Sequence, residues 1–312
     1  MDAPGDLVQA HWLFSRQRYA QAADLLIQAL TRNPEDAEGH ALLALIRCAL
    51  KQDVLAKHHA NKAVELQPAN PHHWFVVSRV LIRFFEWEVV ECYGRDGKYL
   101  APRAVASADS MNSIRAIEKA LQLAPEHADY HAHLALMRLL FVRHQEAIAA
   151  AKAGLQISHD HLGCLHYLSQ AWLDIGETEK AEEAVRTLLS FDPNSAYGHA
   201  GMGDVALYRR KGKEAEQHFL EALRLDPLLP WPEQGLRMAR VLETGRAFAR
   251  ELLTSQDDPV FSDPFRPVRQ LQLLATIILT IVVAVLIAQA VSAQLWPGRS
   301  LFHWIVNWLS NP

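Results

Sequence analysis

Proline recurs in this 312-residue chain at a spacing that few folds tolerate. Pro34 and Pro68 lie 34 residues apart, as do Pro193 and Pro227. Stepping 34 from Pro125 reaches His159, and 34 more reaches Pro193. The surrounding strings agree: ALTRNPED, AVELQPAN, ALQLAPEH, GLQISHDH, LLSFDPNS and ALRLDPLL. One phase break, from Pro68 to Pro125, equals one period plus 23 residues. A fixed period of this length marks an array of similar units. Each unit shows two helical stretches with apolar residues near the 3.6 spacing. A pair of short helices cannot bury its faces alone, so neighbours must stack. Alanines let helix axes approach closely, and a proline after the second helix stops it.

These residues resemble the tetratricopeptide repeat family. Its pattern has a large residue and then Leu-Gly early in the first helix, small alanines in the second, and a closing proline. Residues 3–36 carry Ala22, Ala29 and Pro34; residues 37–70 carry Leu43, Ala56, Ala63 and Pro68. Residues 128–161 carry Leu134 and Ala147; residues 162–195 carry Leu168, Trp172, Ala181 and Pro193. Residues 196–229 fit best, with Gly203, Ala215, Phe219, Ala222 and Pro227. The resemblance covers roughly residues 3–229 and implies an all-α fold, a right-handed α-solenoid of about six helix pairs. One more helix over residues 230–254 is expected to cap the last pair, because a terminal solenoid surface must be covered.

The third unit, residues 71–127, departs from the pattern. Its first helix contains Trp74, Val77 and Leu81, and its second runs near Ser107–Leu123. Extra chain near residues 86–106 holds Trp87, Cys92, Tyr93, Gly94, Gly97 and Tyr99. It reads either as a prolongation of the first helix or as an inserted loop, and long inserted loops are often functional.

Beyond a polar, proline-punctuated linker over residues 255–267, no charged side chain occurs from Gln270 to Gly298. The stretch Leu271 to Val291 is apolar all round, and about 20 such residues cross a hydrocarbon layer of about 30 Å. A single transmembrane helix is therefore expected over residues 268–293, in contact with membrane lipid. Residues 294–312 are too short for a second crossing. Trp296 suits the interface, and Leu301, Phe302, Trp304, Ile305, Trp308 and Leu309 form an apolar set. An interfacial helix or a disordered tail would fit them. Arg246, Arg250, Arg266 and Arg269 precede the span and only Arg299 follows it. The positive-inside rule then places the repeats on the cytoplasmic side of a single-pass protein. Residues 1–6 are small and acidic with no apolar run behind them, so no signal peptide is expected at this end.

A formal net charge of −4 argues against a nucleic-acid partner. Three cysteines, Cys48, Cys92 and Cys164, form no C-x-x-C pair and suggest neither a disulfide scaffold nor a cysteine zinc site. Sixteen histidines are many, and His127, His131, His133, His159, His161 and His166 fall in adjacent repeats. Imidazole is a common metal ligand. However, His40, His131 and His199 recur at one repeat position, which points to packing or solvation of the repeat. No H-E-x-x-H, Walker A or G-x-S-x-G occurs, and Gly201-Met202-Gly203 lacks a strand–turn–helix context. No catalysis, cofactor or metal is expected.

The resemblance implies a binding groove lined by the first helices, near the second, fifth, ninth and twelfth repeat positions. Those are Leu7, His11 and Phe14; Ala41, Leu45 and Cys48; Phe75, Arg79 and Ile82; Ala132, Leu136 and Leu139; His166, Gln170 and Leu173; and Tyr197, Asp204 and Leu207. The set is mostly apolar. Some family members hold a chaperone's terminal carboxylate with Lys, Asn and Arg, but here only Arg79 is present. A hydrophobic helix or extended apolar segment of a protein is the more natural guest. The expected role is a membrane-tethered adaptor or scaffold. Alternatives are an assembly or regulatory subunit of a membrane enzyme or secretion complex, and a tail-anchored organelle receptor.

Overall fold

The computed structural model describes residues 4–85, 87–94, 97–227, 229 and 231–254. The expected transmembrane helix over 268–293, the linker and the tail lie outside the described residues. Among those described, no helix is long and apolar enough to cross a membrane.

Thirteen α-helices are described. Repeats one and two are α1 (Pro4–Ser15) with α2 (Tyr19–Arg32), and α3 (Ala37–Ala49) with α4 (Asp53–Leu66). Repeat three opens with α5 (Pro71–Leu81) and a single 3₁₀ turn (Ile82–Phe84), and closes with α6 (Ala108–Leu123). Then come α7 (Ala128–Leu140) with α8 (His144–Ile157), α9 (Leu162–Asp174) with α10 (Thr178–Phe191), and α11 (Ala196–Tyr208) with α12 (Gly212–Leu225). The last helix is α13 (Pro232–Thr254). The chain divides into two compact units, residues 1–87 with 104–167, and residues 88–103 with 168–312.

The repeat is written in three recurring positions. The twentieth residue of the period is Ala22, Ala56, Ala147, Ala181 or Ala215, each with no exposed surface. The eighth, on the first helix, is also small and buried: Ala10, Ala44, Ala135, Ser169 and Gly203. Small side chains at both places let the paired helices touch. The fifteenth residue makes the turn between them and has a left-handed backbone: Gln17, Lys51, Val142, Gly176 and Arg210, with φ between 57° and 80°. Only one of the five is glycine. Val142, branched at Cβ, sits there at φ 60°, a conformation that costs an L-residue about 1–2 kcal/mol.

Repeat three differs at the twentieth and fifteenth positions, while at the eighth it carries a serine, as repeat five does with Ser169. The eighth residue is Ser78, and Ser113 takes the place of the buried alanine; both are fully buried. At the fifteenth, Phe85 has an extended backbone with φ −70°, and the chain leaves the helix pair. It forms β1 (Trp87–Gly94) and β2 (Gly97–Ala104), hydrogen-bonded to each other. Only two residues join them, a connection short enough for an antiparallel hairpin alone. The insertion is thus neither a longer helix nor an irregular loop, and it corrects the all-α expectation locally. It enters where the tight turn would be, so α5 and α6 still pair across it. The second helix is restarted by a capping box, Ser107 and Ser110 each bonding the other's backbone N–H at 3.3 and 2.9 Å.

In the second unit α13 lies against the last pair, where Ala239 and Leu236 pack with Phe219, Ala206 and Ala215.

Candidate functional site

The first unit contains a cavity of about 590 Å³ built on the first helices of repeats three and four and the start of α9. Phe75, Arg79 and Ile82 supply one wall; Asp129, Ala132, His133 and Leu136 supply another. His161, Leu162, Gly163 and Tyr167 complete it. Five of the sequence-derived groove residues, Phe75, Arg79, Ile82, Ala132 and Leu136, therefore meet in one place.

Its polar groups are individually held. His133 is 7% exposed, and its Nε2 lies 3.0 Å from the Ser78 hydroxyl, which is 3.0 Å from that of Ser113. Ser78, together with Ser113 where the other repeats have alanine, thus anchors a cavity-wall imidazole. Burial lowers the His133 pKa to about 3, with the Arg79 charge adding to the effect, so the ring is neutral near pH 7. His161 accepts the Cys164 N–H on Nδ1 at 3.1 Å, which leaves Nε2 to donate to Asp129 at 3.1 Å. The Cys164 thiol is buried and pushed up to about 12, burial first and the Asp129 charge second. It is no nucleophile.

The other expected groove residues are placed as follows. In the first unit His11 is exposed, Leu139 is half-buried, and Leu7 and Phe14 partly pack on the core of repeats one and two. Leu45 and Cys48 pack on the cluster holding Ala41, Val76 and Val80. His166 is buried, and burial lowers its pKa to about 4. In the second unit Gln170 donates to Asp204 at 3.2 Å, and Tyr197 is exposed with its ring 5.4 Å from that of Trp231. Leu173 is buried with Ala181 and Val205, and Leu207 packs beside Phe219. His166 and Leu173 thus face neighbouring helices rather than solvent.

Asp129, His133, His161, Leu162, Gly163 and Tyr167 are cavity residues that the groove positions omitted. Two of them, His133 and His161, stood out only as part of a histidine cluster. The recurring histidines have a different task. The Nε2 atoms of His40, His131 and His199 lie 3.1, 2.8 and 3.2 Å from the carbonyls of Pro34, Pro125 and Pro193. Trp74 does the same to Pro68 at 2.8 Å. Each ring N–H, six residues on, satisfies the carbonyl of the proline that closes the preceding repeat. Among the described residues, no three His, Cys, Asp or Glu side chains are grouped to hold a metal ion.

A tetratricopeptide repeat family model matches residues 7–71 and 100–160. Among solved structures, the chain is similar to the APC/C hetero-tetramer Cut9–Hcn1, with 13% identity and TM-score 0.59, covering 75% of this chain and 42% of that one. It is also similar to PilF of Pseudomonas aeruginosa, with 15% identity and TM-score 0.55, covering 76% and 96% of the two chains. A tetratricopeptide repeat protein from Parabacteroides merdae shows 10% identity and TM-score 0.60, covering 75% and 83%. No curated protein matches in sequence. Identities this low speak to the fold alone. The family model thus identifies tetratricopeptide repeats, a module that mediates protein–protein interactions, over residues 7–71 and 100–160, and the neighbours share the fold.

Proposed function

We propose that this chain is a non-catalytic scaffold that binds a segment of a protein partner on the first helices of its repeats, and that residues 268–293 tether it to a membrane with the repeats on the cytoplasmic side. The observation that carries the reading is the cavity over repeats three and four. There Phe75, Ile82, Leu136 and Leu162 remain at least partly exposed beside one another. An open concavity of this size, in which apolar side chains alternate with Arg79, Asp129 and His161, suits one or two side chains of a docked segment. The Cut9–Hcn1 complex offers a precedent for a fold of this kind in a hetero-oligomer. The tether rests on the uncharged apolar stretch Leu271 to Val291.

Tethering raises the local concentration of a bound partner without any new contact. Fractionation of cells expressing the full chain, and a chain lacking Leu271 to Val291, tests it. The full chain is expected to stay with membranes through alkaline carbonate washing while the shortened chain becomes soluble. In detergent extracts both are expected to co-purify the same partner. If the shortened chain still sediments with washed membranes, the tether is elsewhere; if neither retains a partner, the scaffold role fails.

A further inference from the structure

Among the described residues that line the cavity, Arg79 is the one permanently charged cation, and it is exposed. Its guanidinium lies 5.6 Å from the Phe75 ring centroid, which orients it without neutralising it. Among the described residues it has no carboxylate partner. The carboxylates nearby in the fold are engaged elsewhere: Asp129 accepts from His161 at 3.1 Å, and Asp53 accepts from Arg83 at 3.0 Å. His133, next along the wall, is held neutral by burial against Ser78. The remaining lining is largely apolar, with Ile82, Ala132, Leu136, Leu162 and Tyr167.

We infer that the groove selects a partner segment in which an Asp or Glu side chain lies next to a large aliphatic or aromatic residue, the carboxylate meeting Arg79 and the apolar group filling the space against Ile82 and Leu136. This rests on the scaffold reading above and names the chemistry of its guest. A single planar fork matches a carboxylate, whose two oxygens it can engage together. A phosphorylated residue is less well served, since the wall offers no lysine and a neutral histidine. A partly dehydrated Arg–carboxylate contact flanked by apolar groups is worth more than the same pair in open water.

A random dodecapeptide display library selected on the detergent-solubilised full chain tests this. Enriched peptides are expected to pair Asp or Glu with Leu, Ile, Phe or Trp within a few positions. Against Arg79→Glu, their affinity is expected to fall about tenfold or more, and a peptide with Lys in place of its acid is expected to prefer that variant. Arg79→Lys, which keeps the charge and loses the fork, is expected to fall between. Arg79 is exposed, so these variants should fold, which circular dichroism verifies. Enriched apolar peptides without an acid, or peptides indifferent to Arg79→Glu, overturn this inference and leave the scaffold reading standing. Failure to enrich any peptide overturns both.

Discussion

Replacing Phe219 with alanine is expected to destabilise the second unit by about 3–5 kcal/mol, the largest effect of an apolar truncation among its described residues. Phe219 has no exposed surface. Its ring fills the space left by two glycines on two other helices. A Cβ on Gly203 of α11 would lie 2.6 Å from the ring, and one on Gly235 of α13 would lie 2.3 Å from it. The ring is therefore wedged from both sides, and cannot move away from one without meeting the other. Gly235→Ala is expected to cost about 1–3 kcal/mol through overpacking. Combined with Phe219→Leu, it should cost less than the sum of the two single changes, because the smaller side chain removes the clash. Urea unfolding followed by tryptophan fluorescence reads these differences. A Phe219→Ala midpoint close to wild type would mean that α13 does not pack on the last repeat as described.

The first unit is expected to weaken steeply on acidification. His133 and His166 are both buried in it, with pKa values lowered by burial to about 3 and about 4. In the unfolded chain both titrate near 6.5. Below that value the unfolded state takes up protons that the folded state refuses, so stability falls with pH until the folded pKa is reached. The slope is about 1.4 kcal/mol per pH unit for each histidine. Stability is thus constant above about pH 6.5 with respect to these groups and drops by on the order of 2 kcal/mol per histidine by pH 5. His59, half-buried and lowered to about 4 by burial and then by the His40 charge, adds a smaller contribution of the same sign. Urea midpoints measured from pH 7.5 to 5 test this. His166→Gln should flatten the dependence by about half relative to the His133 and His166 pair; a wild-type profile already flat over that range contradicts the burial of both rings.

Much of the fold is legible because the repeat constrains residue size at fixed places. Alanine at the twentieth position and proline at the period's end are visible without coordinates, and all five such alanines are fully buried. The turn at the fifteenth position is not legible, since a left-handed backbone is imposed there on Gln17, Lys51, Val142 and Arg210 by the packing of the pair rather than by glycine. The hairpin carried a signal that its helical neighbours masked. Trp87, Val89, Val90 and Tyr93 lead into Gly94-Arg95-Asp96-Gly97, a turn composition, but the second strand, with Tyr99 and Leu100 followed by Pro102, carries little of the β pattern. The groove was legible only in part, and the reason is helical geometry. The ninth position, His11, Leu45, Arg79, Leu136, Gln170 and Asp204, is never buried, and the second, from Glu38 to Tyr197, stays open. The fifth turns inward wherever the residue is small or imidazole, as at Ala41, Ala132 and His166. The sixth then supplies His133 and Tyr167 to the cavity.

The scaffold account stands or falls on which face of the repeats meets a partner, and site-specific photo-crosslinking in native membranes reads that directly. A crosslinking side chain placed at Leu162, exposed at the cavity on the first helix α9, is expected to yield a discrete higher-mass adduct. The same group at Glu65, exposed on the second helix α4, is expected to yield none. Adducts from Glu65 alone, or equal capture from both positions, would contradict a partner held on the first helices.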